Sequence, residues 1–451
     1  MKQEMDLTGG RILPSLLRFA LPVLLALFLQ SMYGAVDLLV VGKFAEPADV
    51  SAVSTGSMLM MTLTNIVSGL GMGMTVLLGQ KIGEKRIGEG NRIIGGGVYL
   101  FLWMGLALTA AVTAGAGPLA GIMQAPPEAL SRTEAYIRIC GAGSLSIISY
   151  NLIGSVFRGL GDSRTPLFTV AVASGCNIAG DLLLVAVFSL GAAGAAIATV
   201  LAQLVSVLLS LILIRKKRLP VTLERGAFRW NGAVVRRILG LGVPIALQDF
   251  LVGISFLVVQ AIVNTLGVTA SAAVGVGEKV CGFLMLVPSA FMQSMSAFVA
   301  QNRGAGRMDR AVKGLRYAIG ASAVVSLVMA YLSYYHGDLL SWLFARDGEV
   351  IAAAADYLRA YALDCLLTCF LFCFIGFFNG MEQTGFVMVQ GLIGAFLVRV
   401  PLCFRFVRWE PVSLFRVGLA TPASSLVQIL LCFGYLAYIR KRRSGRKEGS
   451  E

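Results

Sequence analysis

The chain has 451 residues, of which 57% are hydrophobic and only 14% are charged, and its mean hydropathy is +0.79. This composition excludes an ordinary soluble globular protein and predicts a chain that lies mostly within a lipid bilayer. The formal net charge is +14, so basic residues are available either to bind anionic partners or to orient a membrane protein.

Apolar runs of about 20 residues, the length that crosses the hydrocarbon core as a helix, recur along the whole chain. In the first half we predict spans at 15–41, 51–78, 93–118, 133–157, 165–189 and 191–214. In the second half we predict spans at 237–264, 270–299, 315–335, 355–379, 385–405 and 412–439. The first run is too long for a cleaved signal peptide and contains Asp37. The pattern therefore predicts an all-α membrane protein with twelve transmembrane helices.

The second half of the chain repeats the first at an offset of 221 residues. The repeated positions include Gln80, Gly83 and Arg86, which recur as Gln301, Gly304 and Arg307, Tyr136, which recurs as Tyr357, and, at an offset of 222, Pro22, which recurs as Pro244. Because each repeat has an even number of spans, both enter from the same side, and an axis along the membrane normal relates two parallel six-helix lobes. We predict lobes at 1–214 and 237–439, a basic cytoplasmic linker at 215–236 and a basic cytoplasmic tail at 440–451.

Lys and Arg residues concentrate after the second, sixth and eighth predicted spans and in the tail. The basic run at 215–218 could be read as a nucleic-acid or lipid patch, but its place between spans favours the positive-inside rule. We therefore expect a multi-pass protein of the cell membrane with both termini in the cytoplasm and no nucleic-acid partner. We also expect a monomer in contact with membrane lipid.

Residues for enzymatic chemistry are scarce. The sequence has one histidine and neither an HExxH nor a GxSxG motif. Its eight cysteines lie in or beside apolar spans, where they act as small hydrophobic residues. We therefore expect no enzymatic activity and no cofactor.

Polar side chains within the apolar spans of the first half carry the functional signal, because a charge in hydrocarbon normally faces a cavity or a partner. The candidates are Gln30 and Asp37 on the first span, Asn177 and Asp181 on the fifth, and Thr199 on the sixth. At about 1.5 Å of rise per residue, Asp37 lies about 6 Å and Asp181 about 12 Å inside the outer boundary, with Thr199 level with Asp181. Two carboxylates, an amide and a hydroxyl in one layer suit a proton or a hard cation such as Na⁺. The alternative is that each side chain only satisfies a neighbouring helix.

The second half does not copy this layer. Adding 221 to Asp37, Asn177 and Asp181 gives three apolar residues, Val258, Val398 and Leu402. It has its own intramembrane set of mixed charge instead, namely Asp249, Glu278, Lys279, Asp364 and Arg399. We favour a structural role for Lys279 and Arg399 and leave Asp249 and Asp364 open between structural roles and contacts to a cationic substrate.

Several motifs follow one another in a specific order. They are LRFALPVLLALFLQSMYGAVDLLVVGKF, GLGMGMTVLLGQKIGEK and CNIAGDLLLV in the first half, and ASAAVGVGEKV, SAFVAQNRGAG, GFFNGMEQT and LVRVPL in the second. In this order and spacing the chain resembles the multidrug and toxic compound extrusion (MATE) family over nearly its whole length. In that family two six-helix lobes enclose a central cleft, and organic cations or other amphipathic compounds leave the cell in exchange for inward H⁺ or Na⁺.

The resemblance implies roles for individual residues. Asp37 matches the family's acid on helix 1, Asn177 and Asp181 its pair on helix 5, Thr199 its hydroxyl on helix 6, Gln30 its amide on helix 1, and Pro22 the proline near which helix 1 can bend. We find no match for the further acids that some branches carry on helices 7 and 10, so Asp249 and Asp364 stay unassigned. Cleft candidates for the substrate are Tyr33, Met58, Met61, Met285 and Phe291, although Met and aromatic residues at helical spacing more often belong to a lobe core.

Three other kinds of protein fit parts of the pattern. A flippase for a lipid-linked oligosaccharide or precursor, from the same superfamily, shares the duplicated fold but needs several basic residues in the cleft, where only Lys279 and Arg399 are available. A channel or major-facilitator carrier also fits twelve helices, but the loop GQKIGEKRIG is not the signature of that carrier family. A membrane-embedded enzyme lacks its usual motifs.

Overall fold

The computed structural model describes residues 6–216 and 230–448, without the side chains of 440 and 442–448. Most of the predicted linker at 215–236, namely 217–229, and the last three residues of the predicted tail lie outside the described residues. Within the described ranges every regular element is a helix.

The described chain forms two compact units. The first unit consists of Met1–Ala246 together with Ala297–Met308, and the second of Leu247–Ser296 together with Asp309–Glu451. The helices of the first half are α1 (Ile12–Phe44), α2 (Pro47–Gly83), α3 (Ile87–Ala114), α4 (Ala116–Ile122), α5 (Leu130–Ala142), α6 (Ser144–Leu160), α7 (Arg164–Asp181) and α8 (Gly191–Lys216). Those of the second half are α9 (Gly232–Asn264), α10 (Val268–Leu284), α11 (Leu286–Gly304), α12 (Met308–Tyr335), α13 (Gly337–Trp342), α14 (Gly348–Gly380), α15 (Thr384–Leu392), α16 (Val400–Val407), α17 (Leu414–Gly418) and α18 (Ala420–Glu448).

The number of membrane spans agrees with the prediction. Within the described ranges, eleven helical segments are long and apolar enough to cross a bilayer, and a twelfth span is made by α5 and α6, which are bent by 49° at the break between them. The sequence predicted a straight span at 133–157, whereas the structure divides it at Gly143. The prediction of an all-helical membrane protein with twelve spans is confirmed.

Two spans that were predicted as plain helices contain π-helical turns. The segment Leu182–Val187 continues α7 directly after Asp181, and the segment Ile393–Arg399 joins α15 to α16. A π-helical turn widens the helix locally and is often found at functional sites. Both turns lie beside intramembrane polar residues that the sequence had singled out.

The duplication is visible in how each unit packs. A Cβ atom on Gly56 of α2 would lie 2.3 Å from the ring of Tyr136 on α5, and one on Gly277 of α10 would lie 2.6 Å from the ring of Tyr357 on α14. The two glycines and the two tyrosines are each 221 residues apart. The repeat therefore preserved a ring packed directly on a helix backbone, a contact that a side chain on either glycine would prevent.

The segment Ala297–Met308 joins the first unit through side-chain hydrogen bonds. Gln301 donates from Nε2 to the carbonyl of Gly159 at 3.0 Å and accepts from the backbone N–H of Leu7 at 3.2 Å. The neighbouring Asn302 donates from Nδ2 to the carbonyl of Leu7 at 3.1 Å. These contacts explain why the end of α11 belongs to the first unit. The lobe boundaries at 1–214 and 237–439 stay a prediction.

Candidate cation-binding site

Three helices of the first unit, α1, α7 and α8, pack against one another. Small residues allow α7 and α8 to approach closely, since a Cβ atom on Gly180 would lie only 2.9 Å from the Cβ of Ala198. The residues that follow them, Asp181 and Thr199, are thereby held at the contact between the two helices. Asp37 approaches from α1, where it is 5% exposed.

One hydroxyl group joins the three helices. Thr199 Oγ1 donates a hydrogen bond to Asp37 Oδ2 at 3.2 Å. The same oxygen accepts a long hydrogen bond of 3.5 Å from Asn177 Nδ2. Asp181 lies beside them, close enough to Asp37 for the two carboxyl groups to interact directly. The structure therefore brings together the four polar residues that the sequence placed in one layer.

The oxygens that face this cluster are short of donors. Asp181 is 0% exposed, and within the described residues neither of its carboxylate oxygens has a hydrogen-bond partner. The same holds for Asp37 Oδ1 and for Asn177 Oδ1. Leaving buried acceptors unpaired costs free energy, and a carboxylate has no proton of its own to offer. Four buried oxygens of this cluster thus have no donor, and a proton or a small cation would stabilise them.

The donor set fits a hard monovalent cation or a proton. Carboxylate, amide and hydroxyl oxygens are the ligands that replace the hydration shell of hard cations. Within the described ranges no group of three His, Cys, Asp or Glu side chains is arranged to hold a metal ion. A cation bound here would therefore depend on the neutral oxygens of Asn177 and Thr199 as well as on the two acids.

A polar stripe continues along α1 from this cluster. Gln203 on α8 donates from Nε2 to the hydroxyl of Tyr33 at 3.2 Å. Gln30 donates from Nε2 to the hydroxyl of Tyr150 on α6 at 2.6 Å. Gln203 and Tyr150 were not among the predicted residues, although Gln203 stands one helical turn after Thr199, a spacing that could have revealed it.

A cavity of about 590 Å³ lies where α1 ends and α8 begins. Arg132 lines it and pairs with Asp49 and Glu46, each at 2.5 Å. Asp49 also accepts from the backbone N–H of Ala192 at 3.0 Å. This network connects the turn after α1 to the start of α8. It therefore helps to fix the positions of the two helices that carry Asp37 and Thr199.

The remaining predicted residues have varied surroundings. Pro22 stands inside α1, where it removes one backbone donor. Met58 and Met61 are exposed, at 50% and 66%.

In the second unit Asp249 is exposed, Met285 is partly buried and Phe291 is buried. Asp364 is also buried, and it accepts a hydrogen bond from Ser425.

The profile of one protein family, described as MatE, matches residues 22–183 and again residues 244–405. The two matches are offset by 222 residues at both ends, in agreement with the duplication, and together they cover more than half of the chain. The chain belongs to the MatE family. The predicted resemblance to MATE efflux transporters is confirmed.

Similar proteins agree with membership of the MatE family. "Probable multidrug resistance protein YoeA" of Bacillus subtilis (strain 168) is 27% identical over 98% of both chains. "Multidrug export protein MepA" of Staphylococcus aureus (strain MSSA476) is 22% identical over 86% of both chains. The solved structure "Outward-facing conformation of a multidrug resistance MATE family transporter of the MOP superfamily" has a TM-score of 0.91 at 20% identity over 99% of both chains, which shows the shared fold.

Proposed function

We propose that this MatE chain is a secondary antiporter that exports organic cations or other amphipathic compounds in exchange for inward H⁺ or Na⁺. The observation that carries the proposal is the set of buried oxygens of Asp37, Asn177 and Asp181 that have no hydrogen-bond partner among the described residues. In a transport protein of this family, such a set is best explained as the place where a coupling ion binds.

Coupling follows from the charge of the cluster. Without a bound cation, Asp37 and Asp181 repel each other in a buried place, whereas a bound proton or Na⁺ relieves that repulsion. A ligand shifts a conformational equilibrium only by the difference in its affinity for the two states. We propose that the occupied cluster favours one arrangement of α1 and the empty cluster another. Pro22 gives α1 a place to bend between the two arrangements.

The substrate class is proposed from the relatives and from exposed side chains. The names of similar proteins describe multidrug resistance and multidrug export. Exposed Met58 and Met61 offer flexible, polarisable contacts to varied apolar molecules, and Asp249 offers a charge for a cationic one. Tyr33, Met285, Phe291 and Asp364, which the sequence also named as candidates for substrate contact, stay predictions.

We propose that both termini lie in the cytoplasm, because Lys and Arg concentrate on that side of the spans. We also propose that the chain is a monomer.

The direct test reconstitutes the purified full chain in lipid vesicles and follows efflux of ethidium while a pH step or a Na⁺ step is imposed separately. We expect a step in one of the two ions to drive efflux, and that response identifies the coupling ion. Asp37→Asn and Asp181→Asn should each remove ion-driven efflux and still give folded, inserted protein, because an amide cannot alternate between charged and neutral forms.

Asp309→Asn is the matched control, since Asp309 is an exposed acid in the first turn of α12 and belongs to the second unit. This variant should transport as the unmodified chain does. Wild-type ion-driven efflux from Asp37→Asn or Asp181→Asn would show that the cluster does not couple transport to an ion.

A further inference from the structure

The short segment before α1 is bound to the end of α11 within the first unit. Residues 6–11 lead directly into α1, and the segment Ala297–Met308, which contains the end of α11, belongs to the same unit. Leu7 is only 4% exposed, although it lies close to the start of the chain. The proposed coupling cluster makes no use of this contact.

Three side chains hold the backbone of this segment. The N–H of Leu7 donates to Gln301 Oε1 at 3.2 Å, and the carbonyl of Leu7 accepts from Asn302 Nδ2 at 3.1 Å. The carbonyl of Thr8 accepts from Arg307 Nη1 at 2.6 Å. Gln301 is 1% exposed and Asn302 is 0% exposed, so loss of these bonds would leave buried polar groups unpaired.

The segment also has a defined conformation of its own. Asp6 Oδ1 accepts from the backbone N–H of Thr8 at 2.8 Å and from the hydroxyl of Thr8, an arrangement typical of a turn. Gly10 has a φ of +65° and turns the chain into α1, a conformation that glycine adopts without strain. We call residues 6–10 the strap.

The strap lies on a tight crossing of helix ends. A Cβ atom on Gly83, at the end of α2, would lie 2.0 Å from the carbonyl oxygen of Gln301. A Cβ atom on Gly304, at the end of α11, would lie 2.0 Å from the carbonyl oxygen of Gln80. Gln301 also donates to the carbonyl of Gly159 at the end of α6, at 3.0 Å. The ends of α2, α6 and α11 are therefore joined to one another and, through the strap, to the start of α1.

We propose that the strap closes the cytoplasmic end of the first unit, and that its release from Gln301, Asn302 and Arg307 lets the bound coupling ion leave to the cytoplasm. This inference rests on the proposed antiport function. The three side chains are positioning residues, since they act on the ion through the start of α1.

Helix α1 connects the strap to the coupling cluster. It begins at Ile12, directly after the strap, and Asp37 lies about 38 Å further along it at 1.5 Å of rise per residue. Pro22 stands between the two. An arrangement of α1 that is favoured by the occupied cluster is thus also one that moves or frees the strap. Because coupling between two sites is reciprocal, release of the strap must in turn strengthen ion binding.

The test labels a cysteine placed in the strap. Leu7→Cys keeps the bonds from Gln301 and Asn302, since both are made to the backbone, and its thiol is buried while the strap is bound. The full chain in detergent carries Cys176→Ser as well, because Cys176 is the exposed native cysteine among the described residues. The rate of reaction with a maleimide is compared with that of Lys313→Cys, an exposed position on α12, so that effects of pH on the reagent cancel.

Variants of the three side chains should speed the labelling of Leu7→Cys. We expect Asn302→Leu and Arg307→Ala to raise the rate about threefold to tenfold, the effect of losing one hydrogen bond, and Gln301→Leu to raise it at least as much. Arg316→Ala is the matched control, since it removes an exposed arginine from α12 without touching the strap. Arg307 is itself exposed, so Arg307→Ala remains informative even if a buried variant does not fold. An unchanged rate in Arg307→Ala would show that this side chain does not hold the strap.

The link to the coupling ion is measured in the same assay. The ion that drives efflux from vesicles, Na⁺ at constant ionic strength or H⁺, should raise the labelling rate of Leu7→Cys relative to Lys313→Cys. Asp37→Asn with Asp181→Asn should abolish this response. In Arg307→Ala the ion concentration that gives half of the response should fall, by up to the factor by which labelling rises without the ion.

The two proposals fail in different ways. If efflux is driven by an ion but labelling of Leu7→Cys does not respond to that ion, the strap is only an anchor and the proposed release is wrong. If neither a pH step nor a Na⁺ step drives efflux, the antiport proposal fails, and the strap then has no coupling ion to release.

Discussion

Thr199 on α8 donates a hydrogen bond to Asp37 on α1 at 3.2 Å, while its oxygen accepts from Asn177 on α7 at 3.5 Å. One hydroxyl thus connects three helices and fixes the orientation of a carboxylate whose other oxygen has no partner among the described residues. A side chain in this position can act on ion binding in two ways, as a ligand to a metal cation and as a support for the acid.

The two roles separate in variants of Thr199 and Asn177. Thr199→Ala and Asn177→Ala each remove an oxygen from the proposed cation ligands, and we expect Na⁺-driven exchange to weaken by about tenfold to a hundredfold, the usual effect of losing one hydrogen bond to a charged group. Proton-driven exchange should weaken less, since a proton needs only a carboxylate. Thr199→Ser keeps the hydroxyl and should retain both activities. Equal losses in the two vesicle assays would contradict a ligand role.

The packing of Tyr136 on Gly56 leads to a prediction about stability. Gly56→Ala places a methyl group 2.3 Å from a ring carbon of Tyr136, so the contact must open, at a cost of about 1–3 kcal/mol. The same change at Gly277, against Tyr357, should have a similar effect because the repeat preserves the contact. Gly320→Ala on α12 is the control, since nothing lies within 4 Å of its added Cβ atom. Thermal unfolding in detergent measures all three, and equal stability of Gly56→Ala and Gly320→Ala would refute the prediction.

The arrangement of the polar residues could be predicted in part from the sequence. The rise per residue of a helix placed Asp37, Asp181 and Thr199 at similar depths, and the spacing of four residues placed Asn177 on the same face as Asp181. The structure brings these four residues together. This part was predictable because apolar spans have a known direction and length, and charges stand out within them.

Other features depend on contacts between helices and could not be read from one helix at a time. The bend at Gly143 and the π-helical turn after Asp181 occur within runs that are apolar throughout, so hydropathy alone does not locate them. The partner of Gln30 is Tyr150, which lies 120 residues later in the chain. Arg399 was read as a structural residue, and its hydrogen bond to Ser255, which lies 144 residues earlier in the chain, became apparent only from the folded second unit.

The orientation of the chain is tested by thiol labelling. Ser444→Cys lies in the basic tail and should react with impermeant thiol reagents only from the cytoplasmic side, whereas Ala125→Cys, between α4 and α5, should react only from outside. The exposed native Cys176 should first be replaced by serine, so that the signal comes from the introduced thiol. Labelling from the opposite sides would contradict the assigned direction of α1. The depth of Asp37 below the outer boundary, which depends on that direction, would then be wrong as well.

The last prediction concerns the acids of the second unit. If the coupling ion binds only through Asp37, Asn177, Asp181 and Thr199, then Asp249→Asn and Asp364→Asn should change the affinity for a cationic substrate or the stability of the protein, but should leave the ratio of ions to substrate unchanged. Asp181→Asn should abolish ion-driven exchange under the same conditions.

The reason lies in the surroundings of each acid. Asp249 is exposed on α9, and Asp364 accepts a hydrogen bond from Ser425, so neither has the two unpaired buried oxygens of Asp181. Vesicle assays that count ion uptake per ethidium exported distinguish the cases. If Asp364→Asn or Asp249→Asn removes as much ion coupling as Asp181→Asn, the second unit takes part in ion exchange, and a single site in the first unit cannot account for transport.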